Sequence, residues 1–188
     1  RSSAASDVYK RQGYTGEDGF EIYASHQVII DLWERLMASG RVEPCGLGCR
    51  DTLRFEVGLP LYGNELADDI SPLEAGLSMF VRLEKPDFIG RDATVALKAK
   101  GVDRKLVGLE LADRAIPRHG YEVLNDADEV VGHVTTGYHS ISTDKSVANA
   151  MVDVRYSALG TPLKVRIRRK TFPATVVKKK YYKKNYKN

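Results

Sequence analysis

The period of hydrophobic and polar positions changes near residue 101. Before it, helical spacing dominates. Val28, Ile29, Leu32, Trp33, Leu36 and Met37 recur on one face, with Asp31, Glu34 and Arg35 opposite. Ser25 is the candidate N-cap and Gly40 the residue that closes this helix. Just upstream, residues 19–25 (GFEIYAS) alternate. Phe20, Ile22 and Ala24 face one way and Glu21, Tyr23 and Ser25 the other, which predicts a half-buried strand. Residues 46–57 (GLGCRDTLRFEV) predict a second helix, apolar at Leu47, Leu53 and Val57 and ended by Gly58 and Pro60. Residues 60–75 read as irregular, residues 77–83 as strand, and residues 90–100 as a third helix stopped by Gly101.

After Gly101 the segments are short, rich in Val, Leu and Ile, and bounded by turns. Residues 105–111, 129–137, 146–154, 163–168 and 174–178 predict five strands with no helical pattern between them. That succession points to a small barrel or sandwich. The expected fold is α+β: an α+β part over residues 13–101, then a nearly all-β part, barrel or sandwich, over residues 102–188. Residues 1–12 (RSSAASDVYKRQ) show neither period and begin with Arg1. They read as a non-native leader, with the true protein continuing upstream.

Composition narrows the class. The chain has 188 residues, 43% hydrophobic and 29% charged, with a mean hydropathy of -0.34. No run approaches the ~18 apolar residues of a spanning helix, and the hydrophobic content is too high for a disordered chain. The net charge of +4 conceals a split. Residues 154–188 carry 12 Lys and Arg and no acid, and the preceding residues are net −8. Basic residues alternating with tyrosines at residues 178–188 (KKKYYKKNYKN) suit a single-stranded nucleic-acid groove. They also suit a terminal segment docked on its own domain or a solvated face, and these are the favoured readings.

Chemistry is sparse. Cys45 and Cys49 are too few for a disulfide framework or a zinc site and read as small buried side chains in a reducing compartment. His26, His119, His133 and His139 show no metal spacing and no Ser/His/Asp motif. No metal is expected. Two runs stand out. In GYTGEDGFE (residues 13–21), three glycines mark tight backbone, and Glu17, Asp18 and Glu21 supply carboxylates. Those acids would repel phosphate, but a carboxylate can take a pterin-like edge with adjacent N–H donors. In GLGCRDTLR (residues 46–54), Arg50 and Arg54 lie four apart and could receive a carboxylate. Asp51 can instead pair with Arg54 within the protein.

These runs carry a resemblance. GYTGEDGFEIY, GLGCRDTLRFEVGLPLYGNEL, SPLEAGL, FIGRDA, then LVGLEL, VGHVTTG, VANAMV and GTPLKVRIR resemble, in order, the aminomethyltransferase (T-protein) family of the glycine cleavage system. The resemblance covers residues 13–188 and implies part of a folate-binding α+β domain over residues 13–101 followed by a small C-terminal β-barrel over residues 102–188. It implies transfer of a one-carbon unit from the aminomethyl-lipoyl arm of H-protein to tetrahydrofolate, with release of ammonia. The expected partners are lipoylated H-protein and tetrahydrofolate, with no membrane and no nucleic acid. It places Glu21 at the pterin, Arg50 on the folate side with Tyr14 in the same site, and Tyr186, or alternatively Tyr182, as a C-terminal tyrosine contributor. The family's catalytic aspartate lies upstream of these residues, so no catalytic residue is assigned. The chain then reads as a C-terminal fragment that would not turn over alone. A bacterial member would be cytoplasmic and a eukaryotic one mitochondrial. Two rivals remain: the folate domain of a dimethylglycine or sarcosine dehydrogenase, and a nucleic-acid module on the basic C-terminus. Cys49 stands where the family usually has alanine, Ser140-Ile141-Ser142 where Ser-Pro-Ser is common, and Lys180-Tyr181-Tyr182 where Pro-Phe-Tyr is common.

Overall fold

A computed structural model of the chain describes residues 13–183. The expected leader at residues 1–12 and the candidate Tyr186 lie outside the described residues. Helix α1 spans His26–Ala38, α2 Leu47–Glu56 and α3 Arg91–Lys100. Six strands follow: β1 Arg104–Leu111, β2 Glu122–Leu124, β3 Val130–Ser140, β4 Lys145–Asp153, β5 Pro162–Ile167 and β6 Lys170–Val177. They close into an antiparallel barrel in the order β1-β4-β3-β2-β5-β6, with β6 returning to β1. Closure leaves no open sheet edge.

The alternation read in the sequence builds the barrel. Leu163 and Val165 face inward from β5 and meet Val107, Leu109, Val123, Val134, Val152 and Val176 in one core. The outward positions carry charge that is locally matched. Lys164 pairs with Asp128 at 2.9 Å, Arg166 with Glu122, and Lys145 with Glu110 at 2.9 Å. The basic ladder of β5 is therefore neutralised by acids from the strand and turn beside it. Strand β2 escapes the sequence pattern because three residues are too few to show a period.

Three expectations fail. Residues 19–25 form no strand and are exposed apart from Gly19, which is half-buried; Phe20 is 87% exposed. A strand needs a neighbour to take its backbone hydrogen bonds, and among the described residues none runs beside it. Residues 77–83 form no strand either. Phe80 N–H donates to Leu77 O at 2.9 Å and Val81 N–H to Ser78 O at 3.1 Å, so local bonds wind a short 3-10 turn at Ser78–Phe80. Third, Cys45 and Cys49 are exposed free thiols, not buried side chains. They sit at the outer end of α2, away from its packed last turn.

Candidate functional site

Helix α2 has two unlike ends. Its last turn, Arg54-Phe55-Glu56, is buried against the barrel. The Arg54 guanidinium, fully buried, pairs with Asp51 at 2.6 Å and with the equally buried Glu65 at 2.7 Å. It also donates to Leu59 O at 3.1 Å and to Thr136 Oγ1 at 3.2 Å. The other Glu65 oxygen accepts the Thr135 hydroxyl at 2.8 Å. Adjacent strand residues normally face opposite ways. Here the β3–β4 register slips between Val134 and Thr136, and this bulge lets Thr135 and Thr136 both reach the ion pair.

Phe55 packs against the rings of Tyr138, at 5.6 Å, and Tyr181, at 5.1 Å. Tyr138 donates to Asp51. Burial first, and then this carboxylate, push its pKa up to about 12. The Glu56 carboxylate accepts the Ser140 hydroxyl at 2.6 Å, the Ser142 N–H at 3.2 Å and the Ser142 hydroxyl. The two serines of Ser140-Ile141-Ser142 thus both serve Glu56. The Glu56 carbonyl accepts the N–H groups of Tyr181 and Tyr182, at 3.0 and 2.9 Å.

The C-terminal segment is docked over this junction. Tyr181 donates to Ala148 O at 2.6 Å and touches Asn149 Oδ1 at 3.0 Å. Burial drives its pKa far up. Gly108 permits this approach, since a Cβ there would stand 2.9 Å from the Tyr181 hydroxyl. Lys179 donates to Ala75 O at 3.0 Å, and burial lowers its pKa. For residues 178–183 the docked reading of the basic tail holds.

The first turns of α2 face outward and carry Arg50. Its guanidinium lies 4.5 Å from the centroid of the Tyr14 ring, a cation–π contact. Tyr14 is fixed by donation to Pro60 O, and burial raises its pKa. Gly16, at φ +77°, brings the glycine-rich run against α2, where a Cβ would meet Val57 Cγ1 at 2.4 Å. The structure therefore brings Tyr14 and Arg50 together. Glu21 stands apart from this pair; it is exposed and accepts the Tyr23 hydroxyl at 2.7 Å, which raises the Tyr23 pKa. Tyr182 reaches the junction through its backbone. Arg54, weighed with Arg50 as a carboxylate receiver, is consumed internally by Asp51 and Glu65. The Asp51–Arg54 spacing signalled half of that network. Glu65 and the two threonines gave no signal, because they meet Arg54 only through the tertiary fold.

One grouping invisible in the sequence joins Ser146, His139 and Asp144. His139 Nδ1 lies 3.2 Å from Ser146 Oγ, and Nε2 lies 2.8 Å from Asp144 Oδ1. Ser146 is 3% exposed, and its oxygen accepts the Ala115 N–H at 3.1 Å. The Asp144 side chain is 85% exposed. A buried, already engaged hydroxyl with a solvated acid makes a hairpin clamp, not a nucleophile.

The GCVT N-terminal domain family matches residues 4–85, and the glycine cleavage T-protein C-terminal barrel domain family matches residues 104–183. The aminomethyltransferase of Caldanaerobacter subterraneus subsp. tengcongensis is 52% identical over 183 residues, 96% of this chain and 49% of that protein. That of Alkaliphilus oremlandii is 50% identical over 188 residues, 98% of this chain and 51% of that protein. The crystal structure of the glycine cleavage system aminomethyltransferase T from Bartonella henselae superposes with a TM-score of 0.89 at 36% identity, covering 94% of this chain and 50% of that one. The chain spans about half the length of the curated relatives it matches. With the α2 junction, the closed barrel and these matches in agreement, the chain belongs to the aminomethyltransferase family of the glycine cleavage system, the T-proteins.

Proposed function

We propose that this chain supplies the tetrahydrofolate-facing part of an aminomethyltransferase. The reaction would pass the one-carbon unit of an aminomethyl-lipoyl arm on H-protein to tetrahydrofolate and release ammonia. The observation that carries this reading is the Arg50–Tyr14 pair, in a chain of this family. A guanidinium stacked on a ring is held in place yet keeps donors for a carboxylate such as the glutamyl tail of folate. Glu21, exposed beside this run, is suited to the N–H edge of the pterin. The catalytic acid is expected in a preceding half, so these residues bind and orient and do not perform the chemistry alone. In a bacterial source the reaction would be cytoplasmic.

The barrel offers a second support. Arg114, Arg118, Arg168, Arg169 and Lys170 line one cleft of about 650 Å³ with no acid among its lining residues. Such a surface favours and steers an acidic partner, the character expected of H-protein.

The test is tetrahydrofolate affinity, measured by calorimetry on a chain extended by the half that the relatives possess. Glu21→Ala should weaken binding by about 1.5–3 kcal/mol, the worth of a charge-assisted contact. Arg50→Ala should weaken it as well. Unchanged affinity in both variants would overturn the reading.

A further inference from the structure

One mouth of the barrel is built like a small-ligand site. At this end β1 gives way to the loop of residues 112–121, and β5 turns back into β6 through Arg168 and Arg169. Val123 of β2 stands opposite Val165 of β5, and both are buried in the core. Strand residues two apart share a face, so Tyr121 and Ile167 turn inward as well. They pack on top of the core together with Phe172, the partner of Val165 on β6, and all three are half-buried. These side chains form the floor of the cleft of about 650 Å³. Barrel mouths are favoured places for small-molecule sites, and this volume lies in their usual range.

The rim is cationic and unpaired. Arg168, Arg169 and Lys170 come from the β5–β6 hairpin, and Arg114 and Arg118 from the loop after β1. All five are exposed. Among the described residues none of them is in an ion pair, whereas Lys145, Lys164 and Arg166 of the same barrel each are. The Arg118 guanidinium lies 5.5 Å from the centroid of the Tyr138 ring, which holds it while leaving its donors open. The hairpin tip adds a second sign. Arg168 has a φ of +57°. Glycine adopts that left-handed conformation freely, but a side chain is strained in it. Two-residue hairpin turns ordinarily place Gly, Asn or Asp there. An arginine kept in spite of the strain marks this tip as a candidate for function.

We propose that this barrel mouth binds a nucleoside triphosphate. The heterocycle lies on Tyr121 and Phe172, and the phosphates reach the hairpin cations. Guanidinium forks take phosphate oxygens bidentately. The floor separates this ligand from an acidic protein surface. Steering an acidic partner needs the rim alone, whereas recessed rings suit a ligand that enters. The proposal does not rest on the folate reading, whose residues Tyr14, Glu21 and Arg50 lie outside the barrel.

The experiment titrates ATP into the 188-residue chain by calorimetry, with tripolyphosphate, adenosine and a thymidine oligonucleotide in parallel. ATP should bind at one site per chain and weaken severalfold as salt is raised. Tripolyphosphate should bind more weakly than ATP, on the order of tenfold, because it lacks the stacking ring. Adenosine should show no binding. Arg168→Gly combined with Arg169→Ala should weaken ATP on the order of tenfold. Amide and aromatic chemical-shift changes on adding ATP should centre on Tyr121, Ile167 and Phe172. No ATP binding at millimolar concentration, tripolyphosphate as tight as ATP, or an affinity unmoved by the double variant would overturn the proposal. So would shift changes centred on Tyr14 and Arg50, which would put ATP on the folate surface. An oligonucleotide held far more tightly than ATP would overturn it in favour of a nucleic-acid groove. The ligand comparison needs no substitution, so it decides the matter even if the variant fails to fold.

Discussion

The barrel and the residues before it are held by different forces. Residues 104–177 bury a continuous apolar core inside a closed sheet, and each backbone ladder is completed by its neighbour. In residues 13–101, helices α1 and α3 have no fully buried residue, only half-buried ones such as Leu32, Met37 and Leu97. What is buried there is the last turn of α2 and parts of the loop after it, notably Glu65 and Ala75. These lie at the junction and are tied to barrel atoms: Thr135 and Thr136 for the Arg54–Glu65 pair, Ser140 and Ser142 for Glu56. Leu106 N–H also donates to Glu74 O at 2.9 Å, and Arg104 pairs with Glu74 at 2.7 Å. The barrel thus carries a continuous core of its own, whereas the first part is buried mainly where it touches the barrel. Arg50 and Tyr14 sit just past the end of that buried zone, so the barrel helps to set the position of a candidate binding surface that it does not carry.

Substitutions can break this contrast in order of expected size. Arg54→Ala leaves the Glu65 carboxylate buried without its cation, and such losses cost about 3–5 kcal/mol. Urea unfolding measures it; a loss under about 1 kcal/mol, typical of a solvated pair, would mean that the junction is not sealed. Leu109→Ala opens a void in the barrel core and should cost about 2–5 kcal/mol by the same assay. Tyr181→Phe keeps the packing on Phe55 but removes the hydroxyl from Ala148 O and Asn149 Oδ1. It should cost about 0.5–1.5 kcal/mol, and hydrogen exchange should quicken at Tyr181 and Tyr182 if the docked segment loosens. Trp33→Ala, on the 54%-exposed Trp33 of α1, should change stability by less than about 0.5 kcal/mol. A loss as large as that of Leu109→Ala would show that α1 is packed in solution and would erase the contrast.

Most of the barrel was legible in the sequence because its signal is local. Leu163, Val165 and Ile167 alternate with Lys164, Arg166 and Arg168, and that pattern alone states which face turns inward. The helices were legible for the same reason, and α1 and α3 differ from the expected bounds by a residue or two. The failed strands were apolar runs without the partner that would make them strands. Phe20 and Ile22 alternate, and Met79 and Phe80 are apolar, but all four are exposed. The candidate site was legible in part. Arg50, Tyr14 and Glu21 were singled out, yet only the structure stacked Arg50 on Tyr14 and left Glu21 beside Tyr23. Cys45 and Cys49 were read as buried because small apolar residues usually are; their place at the open end of a helix reversed that.

Taken alone, the sequence determined the change from helical to strand period, the inward face of most strands, the family motifs and the spacing that lets Asp51 reach Arg54. These depend on spacings of a few residues, which the geometry of helix and strand converts directly into a shared face. Only the tertiary structure decided that Arg54 is internal while Arg50 is presented. It also decided that Glu65, Thr135 and Thr136 seal the junction, that Glu56 is held by two serines 84 and 86 residues away, and that the basic tail docks through Tyr181 and Lys179. Those outcomes depend on which distant segments become neighbours. Desolvation makes each polar group find a partner there, and no local pattern records which one it finds.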